Sequence, residues 1–533
     1  MKTKLRVGII INGTAERNKL NDLFRISKLS TDYEIILICI DHEAYQKNEI
    51  IKKIKSYGVY NFILSLLFKL IISFEKFLLI KLKKIFKQST TLEQINIKLN
   101  DYDDNKLSKI KSLNLDLLLK NNFSTLEKEI SSYIKLGILS IKFENQDISV
   151  LEQINFNNVL NKKKTTEFNI NYLKNNSSEE LCLIRGNIQN VPIFSLNLNK
   201  LLNKSYAFLD LAIKKISINN FDLINNEYLS SKKENKLNLF PSFLEQVNYL
   251  FSILNYIKNK FISKKPKWNI AYKFSENWKD FNLSNLIKIP NPDNRYFADP
   301  FIWKEGQVYY CFVEDFNINL NRGCISVFEI SSEGYKFIGE VLKENFHLSY
   351  PFIFKSDGQL YMCPETHEIN EIRIYKCKNF PLEWELEKTL MKNISAVDTS
   401  IFFRENQWWL LTNMCSAKIN DFTNELHIYS SDHFLKNNWI PHENNPVIID
   451  TLKGRNGGLI IDDLDIYRVF QRQGFDIYGE AIGLAKILKL NKTYYKEDDK
   501  FKIEPNFFSN IHGTHTFNYH KGLLVIDYLK IDK

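Results

Sequence analysis

Two aspartates, Asp299 and Asp398, open stretches of the same make: an acid, an apolar strand, a tight polar turn and an aromatic strand. Asp299-Pro-Phe-Ile-Trp-Lys-Glu-Gly-Gln-Val-Tyr-Tyr aligns with Asp398-Thr-Ser-Ile-Phe-Phe-Arg-Glu-Asn-Gln-Trp-Trp position for position. Three further copies start at Tyr350, Asn456 and Thr514, so the five starts are 51, 48, 58 and 58 residues apart. Like positions in repeated units come to like places, so these five side chains should form a polar ring. It holds two carboxylates. Such a ring can simply cap strands and hold water. Two like charges facing one space, however, are unfavourable unless something binds there, and crowding of this kind tunes groups for acid–base work. Arg455 precedes the fourth start, with Arg468 and Gln471 on the strand that follows. An arginine there either clamps a phosphate or sugar acid or pairs with Asp398. His515 follows the fifth start, as an acid/base group, a sugar ligand or a hydrogen-bonded channel residue, and His347 stands just before the second. A metal site at Asp299, His515 and Glu365 stays open, but no metal-ligand spacing is readable across the copies, and neither a metal nor a cofactor is assigned.

The elements that must hold such a ring follow from the period. A repeat of about 50 residues, each able to supply four short strands, is the mark of propeller blades. Five copies predict an all-β five-bladed propeller over 268–533. The first half reads differently. Leu5–Ile11 and Tyr33–Ile40 are apolar runs flanking the helix-like Leu20–Leu29, the opening of a parallel α/β sheet of Rossmann type. Leu113–Leu119 and Leu136–Phe143 read as further buried strands. Gly8 and Gly13 do not make a dinucleotide fingerprint. Residues 206–267 read as a helical connecting segment, giving units at 1–205, 206–267 and 268–533.

The chain has 533 residues and a formal charge of +10. Residues 1–268 hold 42 Lys and Arg against 26 Asp and Glu, and 269–533 hold 30 against 36. A basic front suggests nucleic acid, but no nucleic-acid-binding motif is present. Abundant Asn, Lys and Ile are what an AT-rich genome produces without function. Seven scattered Cys with no C-x-x-C exclude a zinc ribbon or a disulfide scaffold. Val7–Ile11 is too short for the apolar core of a signal peptide, so a cytoplasmic protein is expected. Ser56–Phe86 is strongly apolar, but its longest charge-free run, Ser56–Phe68, cannot span a bilayer. Residues 51–87 hold nine Lys and one Glu. The segment is either a helix buried in an interface or one lying peripherally on the inner face of a membrane through 58–87.

Three resemblances bear on function. The opening strand, Leu115-Asp-Leu-Leu-Leu and Leu136-Gly-Ile-Leu-Ser resemble the formyltransferase N-terminal fold. That family's catalytic His is replaced by Ile141-Lys-Phe-Glu-Asn145, which implies a degenerate, non-catalytic relative. Five blades opened by Asp-Pro resemble the five-bladed arabinanase, xylosidase and invertase superfamily. That resemblance implies Asp299 as base or nucleophile and Asp398 as the residue that orients the sugar. The family's acid, a Glu opening a later blade, is Asn456 here; Glu365 is the best substitute and Glu314 another. His347-Leu-Ser-Tyr-Pro-Phe, Pro364-Glu-Thr, Ala396-Val-Asp-Thr, Trp408-Trp-Leu-Leu-Thr-Asn413, Glu425-Leu-His427 and Trp439-Ile-Pro-His442 resemble the N-terminal propeller of glucosamine inositolphosphorylceramide transferases. Bacterial relatives of that propeller follow formyltransferase-like domains. The eukaryotic enzymes' sugar transfer is attributed to a separate C-terminal domain, which is not read here. The expectation is glycosyl chemistry in surface polysaccharide or glycolipid assembly, on a sugar nucleotide or lipid-linked glycan, with Asp299, Asp398 and Glu365 catalytic and Tyr350, Glu314, Arg455, Arg468, Gln471, His515 and His347 binding substrate. Transfer, hydrolysis, phosphorolysis and binding alone stay open.

Overall fold

The computed structural model describes residues 4–12, 20–41, 49–81, 97–100, 106–120, 130, 132–175, 177, 179–218, 241–262 and 267–530. The chain divides into two compact units, Met1–Ile262 and Ser263–Lys533. All seven cysteines are free thiols.

The first unit is built on a mixed sheet. Its strands are β1 (Leu5–Asn12), β2 (Tyr33–Asp41), β3 (Ile97–Asn100), β4 (Leu117–Lys120), β5 (Gly137–Phe143), β6 (Gln146–Asp147), β7 (Thr165–Lys174) and β8 (Glu180–Gln189). The order is β3-β2-β1-β4-β5-β7-β8, with β6 paired to β5. Strands β1 to β5 pair in parallel, and β7 and β8 add antiparallel. The parallel strands are nearly continuous apolar runs because both faces are covered: Val7, Ile9, Ile11, Ile38, Leu117, Leu118 and Leu139 are buried. Beyond β5, Glu144 and Asn145 form a hairpin turn, both at positive φ.

Among the described residues, the helices α1 (Asn21–Lys28), α2 (Glu49–Lys81), α3 (Lys106–Ser112), α4 (Leu151–Leu160), α5 (Phe194–Ser217) and α6 (Phe243–Ile262) accompany the sheet. The boundary expected at 205 falls inside α5, whose later residues Tyr206, Phe208, Leu209, Ala212 and Ile213 are buried. The apolar stripe continues past 205, so the helix belongs to the sheet's own core. Helix α2 breaks at Gly58, whose φ of 76° is open to glycine and unfavourable for other residues. The stretch after it packs Ile72 and Leu79 against Tyr249 and Ile253 of α6. No described helix is long and apolar enough to cross a membrane.

The second unit is the five-bladed propeller. Four blades are antiparallel sheets taken in chain order: β11 (Arg295–Glu305) to β14 (Gly334–Leu342), β15 (Ser349–Ser356) to β18 (Glu383–Lys392), β19 (Ala396–Arg404) to β23 (Ile448–Ile449), and β24 (Asn456–Asp462) to β27 (Tyr495–Ile503). The fifth joins both ends of the unit. Strand β30 (Leu523–Lys530) pairs with β29 (Phe517–His520) on one side and with β9 (Lys267–Phe274) on the other, and β10 (Ile287–Ile289) follows β9. The closure hydrogen-bonds strand edges that would otherwise be open. Between blades lie aromatic and β-branched layers, among them Phe301, Phe352, Phe402 and Trp409.

Candidate active site

The ring positions share one backbone device. Asp299, Tyr350 and Asp398 all sit at left-handed φ, 48°, 47° and 49°. At each the register of the inner strand slips against its neighbour. A non-glycine residue in that region is strained by about 1 kcal/mol or more, and the strain recurs in three blades. The bulge re-aims the side chain at the strand's start. A second set stands at a constant offset of 15 residues: Glu314, Glu365, Asn413 and Gln471. Glu314 pairs with Ala298, Glu365 with Ser349 and Asn413 with Val397, each just before the bulge.

Asp299 has a partner on each carboxylate oxygen. Its Oδ1 accepts the Thr516 hydroxyl at 2.7 Å and its Oδ2 accepts the Tyr350 N–H at 3.3 Å. His515 Nε2 lies 3.5 Å from Oδ1, while Nδ1 of the same ring lies 2.5 Å from Asp527 Oδ2. Asp527 in turn accepts the N–H groups of His515 and Thr516 at 2.9 Å each. Trp268 stacks on the imidazole, with centroids 3.8 Å apart and an interplanar angle of 9°. Burial pushes Asp299 up to about 6; His515 opposes that, and Asp398 and Asp527 add to it. Burial alone would lower His515, but the carboxylates of Asp527 and Asp299 outweigh it and raise the ring. The imidazole thus sits between two acids that favour its protonated form. Among the described residues, donor atoms of Asp299, His515 and Asp527 lie within 4.8 Å of one another, close enough to hold a metal ion. Both imidazole nitrogens face carboxylates, so a cation there would have to displace the proton that the two acids favour.

Asp398 lies on the other part of the ring. Arg455 Nε donates to its Oδ2 at 2.7 Å, and Gln471 Nε2 donates to the same oxygen at 3.1 Å. The Asn456 amide holds the Asp398 carbonyl at 2.9 Å. The Asp398 carboxylate lies close enough to Glu365 to disfavour its ionisation. Burial, then Asp398, raise Glu365 well above the usual carboxylate range, against Arg455. Glu314 is raised too, by burial and then by Asp299 and Glu365. His347 Nδ1 accepts the Gly323 N–H at 2.8 Å, which leaves the proton of the neutral ring on Nε2, 3.6 Å from Glu314 Oε1. Glu365 and Arg455 are half-buried and Tyr478 is exposed, whereas Asp299 and Asp398 are buried. The guanidinium of Arg455 also lies over the Tyr478 ring at 4.8 Å.

Asp299, Asp398, Glu365, Glu314, Arg455 and His515 therefore form one electrostatically linked cluster. Three expected substrate ligands do other work. Arg468 is 1% exposed and gives its guanidinium to Glu497 at 2.8 and 2.6 Å, to the Lys453 carbonyl and to Asn456 Oδ1. It is a structural ion pair, not a substrate clamp, because no donor is left facing open space. Gln471 is buried and spends its amide on Asp398 and the Asn456 carbonyl. Tyr350 is fully buried, its hydroxyl 3.1 Å from Ser400 Oγ. Asp527, Trp268, Tyr478 and Thr516 were not foreseen. Asp527 had a signal, a lone acid inside the apolar run Leu523–Leu529; the constant offset of 15 residues was another.

These features define a five-bladed propeller with a carboxylate cluster at the start of its inner strands. The model of the family described as glucosamine inositolphosphorylceramide transferase 1, N-terminal, matches residues 284–521. The glucosamine inositolphosphorylceramide transferases 1 of Oryza sativa subsp. japonica and Arabidopsis thaliana are 36% and 35% identical over 211 residues, 39% of this chain. That match covers 28% and 27% of those proteins, so the chain spans little more than a quarter of the curated relatives' length. Among solved structures, a thermostable family-43 glycoside hydrolase is 15% identical with a TM-score of 0.35, over 46% of this chain and 91% of that one. The GH62 α-L-arabinofuranosidase catalytic domain of Coprinopsis cinerea is 8% identical with a TM-score of 0.34, over 44% and 90%.

Proposed function

We propose that the propeller is a carbohydrate-active enzyme of glycosyl-transfer type, working at the Asp299–Asp398–Glu365 cluster on a sugar nucleotide or lipid-linked glycan. The observation that carries this reading is the pair of neighbouring carboxyl groups, Glu365 and Asp398, in unlike environments. Glu365 is raised and half-exposed; Asp398 is fixed by Arg455 and Gln471. Leaving-group departure from an anomeric carbon needs a proton donor, and the opposite face needs a base or nucleophile. Glu365 is the donor and Asp299 the base. Asp398 and Arg455 orient the sugar and its anionic group. The similarity of 284–521 to the N-terminal part of glucosamine inositolphosphorylceramide transferases supports a glycan substrate, in surface polysaccharide or glycolipid assembly at the cytoplasmic side. The first unit is, on this reading, a non-catalytic relative of the formyltransferase fold. What supports that is its β3-β2-β1-β4-β5 parallel order and the turn Glu144-Asn145 that follows β5, where that family places its His.

One observation favours a second reading, glycan binding without turnover: both Asp299 oxygens already have partners and the residue is 6% exposed. The two separate by experiment. Wild type, Glu365→Gln and Asp299→Asn are mixed with a panel of nucleotide-activated sugars, and nucleotide release and calorimetric binding are both followed. Transfer requires release by wild type that falls by about 10²–10⁴ in Glu365→Gln while donor binding persists. Binding without any release supports the second reading, and neither binding nor release sinks both.

A further inference from the structure

The helical stretch of α2 from Val59 onward carries two apolar stripes on opposite sides. Leu64, Phe68, Ile72, Glu75 and Leu79 recur every three to four residues and face the unit. Val59, Ile63, Leu66, Leu70 and Phe74 recur at the same spacing on the other side, and all are exposed, Leu70 by 67%. A helix that only closed a core would be polar on its outer face. Here the outer polar groups are confined to one flank, where Lys69 and Lys76 stand two turns apart, both exposed. Helix α6, packed against α2, exposes Leu244 and Phe251 as well.

The charge of the segment, read from its sequence, has one sign. Residues 51–87 hold nine Lys and a single acid, Glu75. That acid is buried: its Oε1 accepts the Ser195 N–H at 2.8 Å, and the Tyr249 hydroxyl donates to its other oxygen. No acid of the segment is thus left to oppose an anionic surface. No described helix can cross a bilayer, so an apolar stripe with lysines on its flank suits a helix lying in the headgroup boundary, its lysine stems reaching up to the phosphates. A second copy of this chain is the poorer occupant, since it would bring like charges together.

We propose that the outer face of α2 docks on the surface of an anionic membrane, with Val59, Ile63, Leu66, Leu70 and Phe74 in the acyl boundary and Lys69 and Lys76 on the headgroups. This would hold the chain where lipid-borne substrates lie, though the docking does not depend on the propeller's chemistry.

The full chain is tested by flotation with vesicles of phosphatidylcholine containing roughly 30% phosphatidylglycerol, and with phosphatidylcholine alone, at low and high salt. Wild type should float with the anionic vesicles and be released by salt. Leu66→Ser with Leu70→Ser should lower recovery at least tenfold with an unchanged circular dichroism spectrum. Lys69→Gln with Lys76→Gln, which keeps the stripe, should lower it about tenfold on anionic vesicles only. The proposal is overturned if wild type stays in solution, if it floats equally on both compositions, or if the leucine variant floats like wild type. It is also overturned if sedimentation shows a dimer that the leucine variant dissociates, which would assign the stripe to a second copy.

Discussion

Replacing Asp299 by Asn should stabilise the protein at neutral pH and not at acid pH. Asp299 is buried and its carboxyl is pushed from the ordinary 3.8 up to about 6. A group whose native pKa lies above its unfolded value binds its proton more tightly in the fold, so its contribution is fully favourable below 3.8 and is lost as pH rises through 6. At about 1.4 kcal/mol per decade, ionising Asp299 at pH 7 lowers stability by about 3 kcal/mol. Asn carries no charge at any pH, which removes that term. It also turns one acceptor into a donor, and either the Thr516 hydroxyl or the Tyr350 N–H then lacks its acceptor, a loss of about 1–2 kcal/mol. The net expectation is a gain of about 1–2 kcal/mol at pH 7, or a rise of roughly 2–8 °C in Tm for a unit of this size, and a loss of about 1–2 kcal/mol at pH 4. The assay is thermal unfolding of wild type and Asp299→Asn across that range. A variant less stable than wild type at both pH values, by the same amount, would refute the reasoning that the carboxylate is held against its preference.

Other outcomes follow from the same geometry. Arg468→Met leaves the buried Glu497 with Lys453 and the Tyr495 hydroxyl as its remaining partners and should destabilise the protein by about 3 kcal/mol in denaturant unfolding, most of it recovered by adding Glu497→Leu. Gly479→Ala puts a Cβ 2.5 Å from the Cβ of His515 at a φ of +62°; a loss of about 1–3 kcal/mol and a shifted His515 ring resonance are expected. If Asp299 is the base, turnover should rise with pH through about 6 as it ionises, and fall again at higher pH as the raised Glu365 loses its proton. A pH–rate profile without the acid limb would remove Asp299 from that role.

The ring was legible because the period of the repeat fixed it. Six residues before each inner turn stand Asp299, Tyr350, Asp398, Asn456 and Thr514, and the first three share one backbone strain. The roles of individual side chains were less legible. Arg468 looked like an available cation because its partner, Glu497, lies 29 residues on in an outer strand. Arg455 could pair with Asp398 or stay free, and only the approach of two blades decided that it pairs. The placing of His515 between two acids was out of reach of local pattern, since Trp268 and Asp527 meet there only when the two ends of the propeller close on each other. In the first unit, the strand pattern gave the parallel core, but the boundary at 205 followed the extent of the formyltransferase resemblance, and α5 runs through it. For α2 the periodicity marked a helix; which stripe was covered depended on where α6 packs.

The claim on which the rest depends is that Glu365, raised by burial and by the neighbouring Asp398, holds a proton at neutral pH. Infrared difference spectroscopy in the protonated-carboxyl region, comparing wild type with Glu365→Gln at pH 7, reads this directly. Loss of carboxylic-acid absorbance in the variant is the expected result. An unchanged acid region, with the intensity lost instead from the carboxylate bands, would mean that Glu365 is ionised, and the acid of the proposed mechanism would be gone.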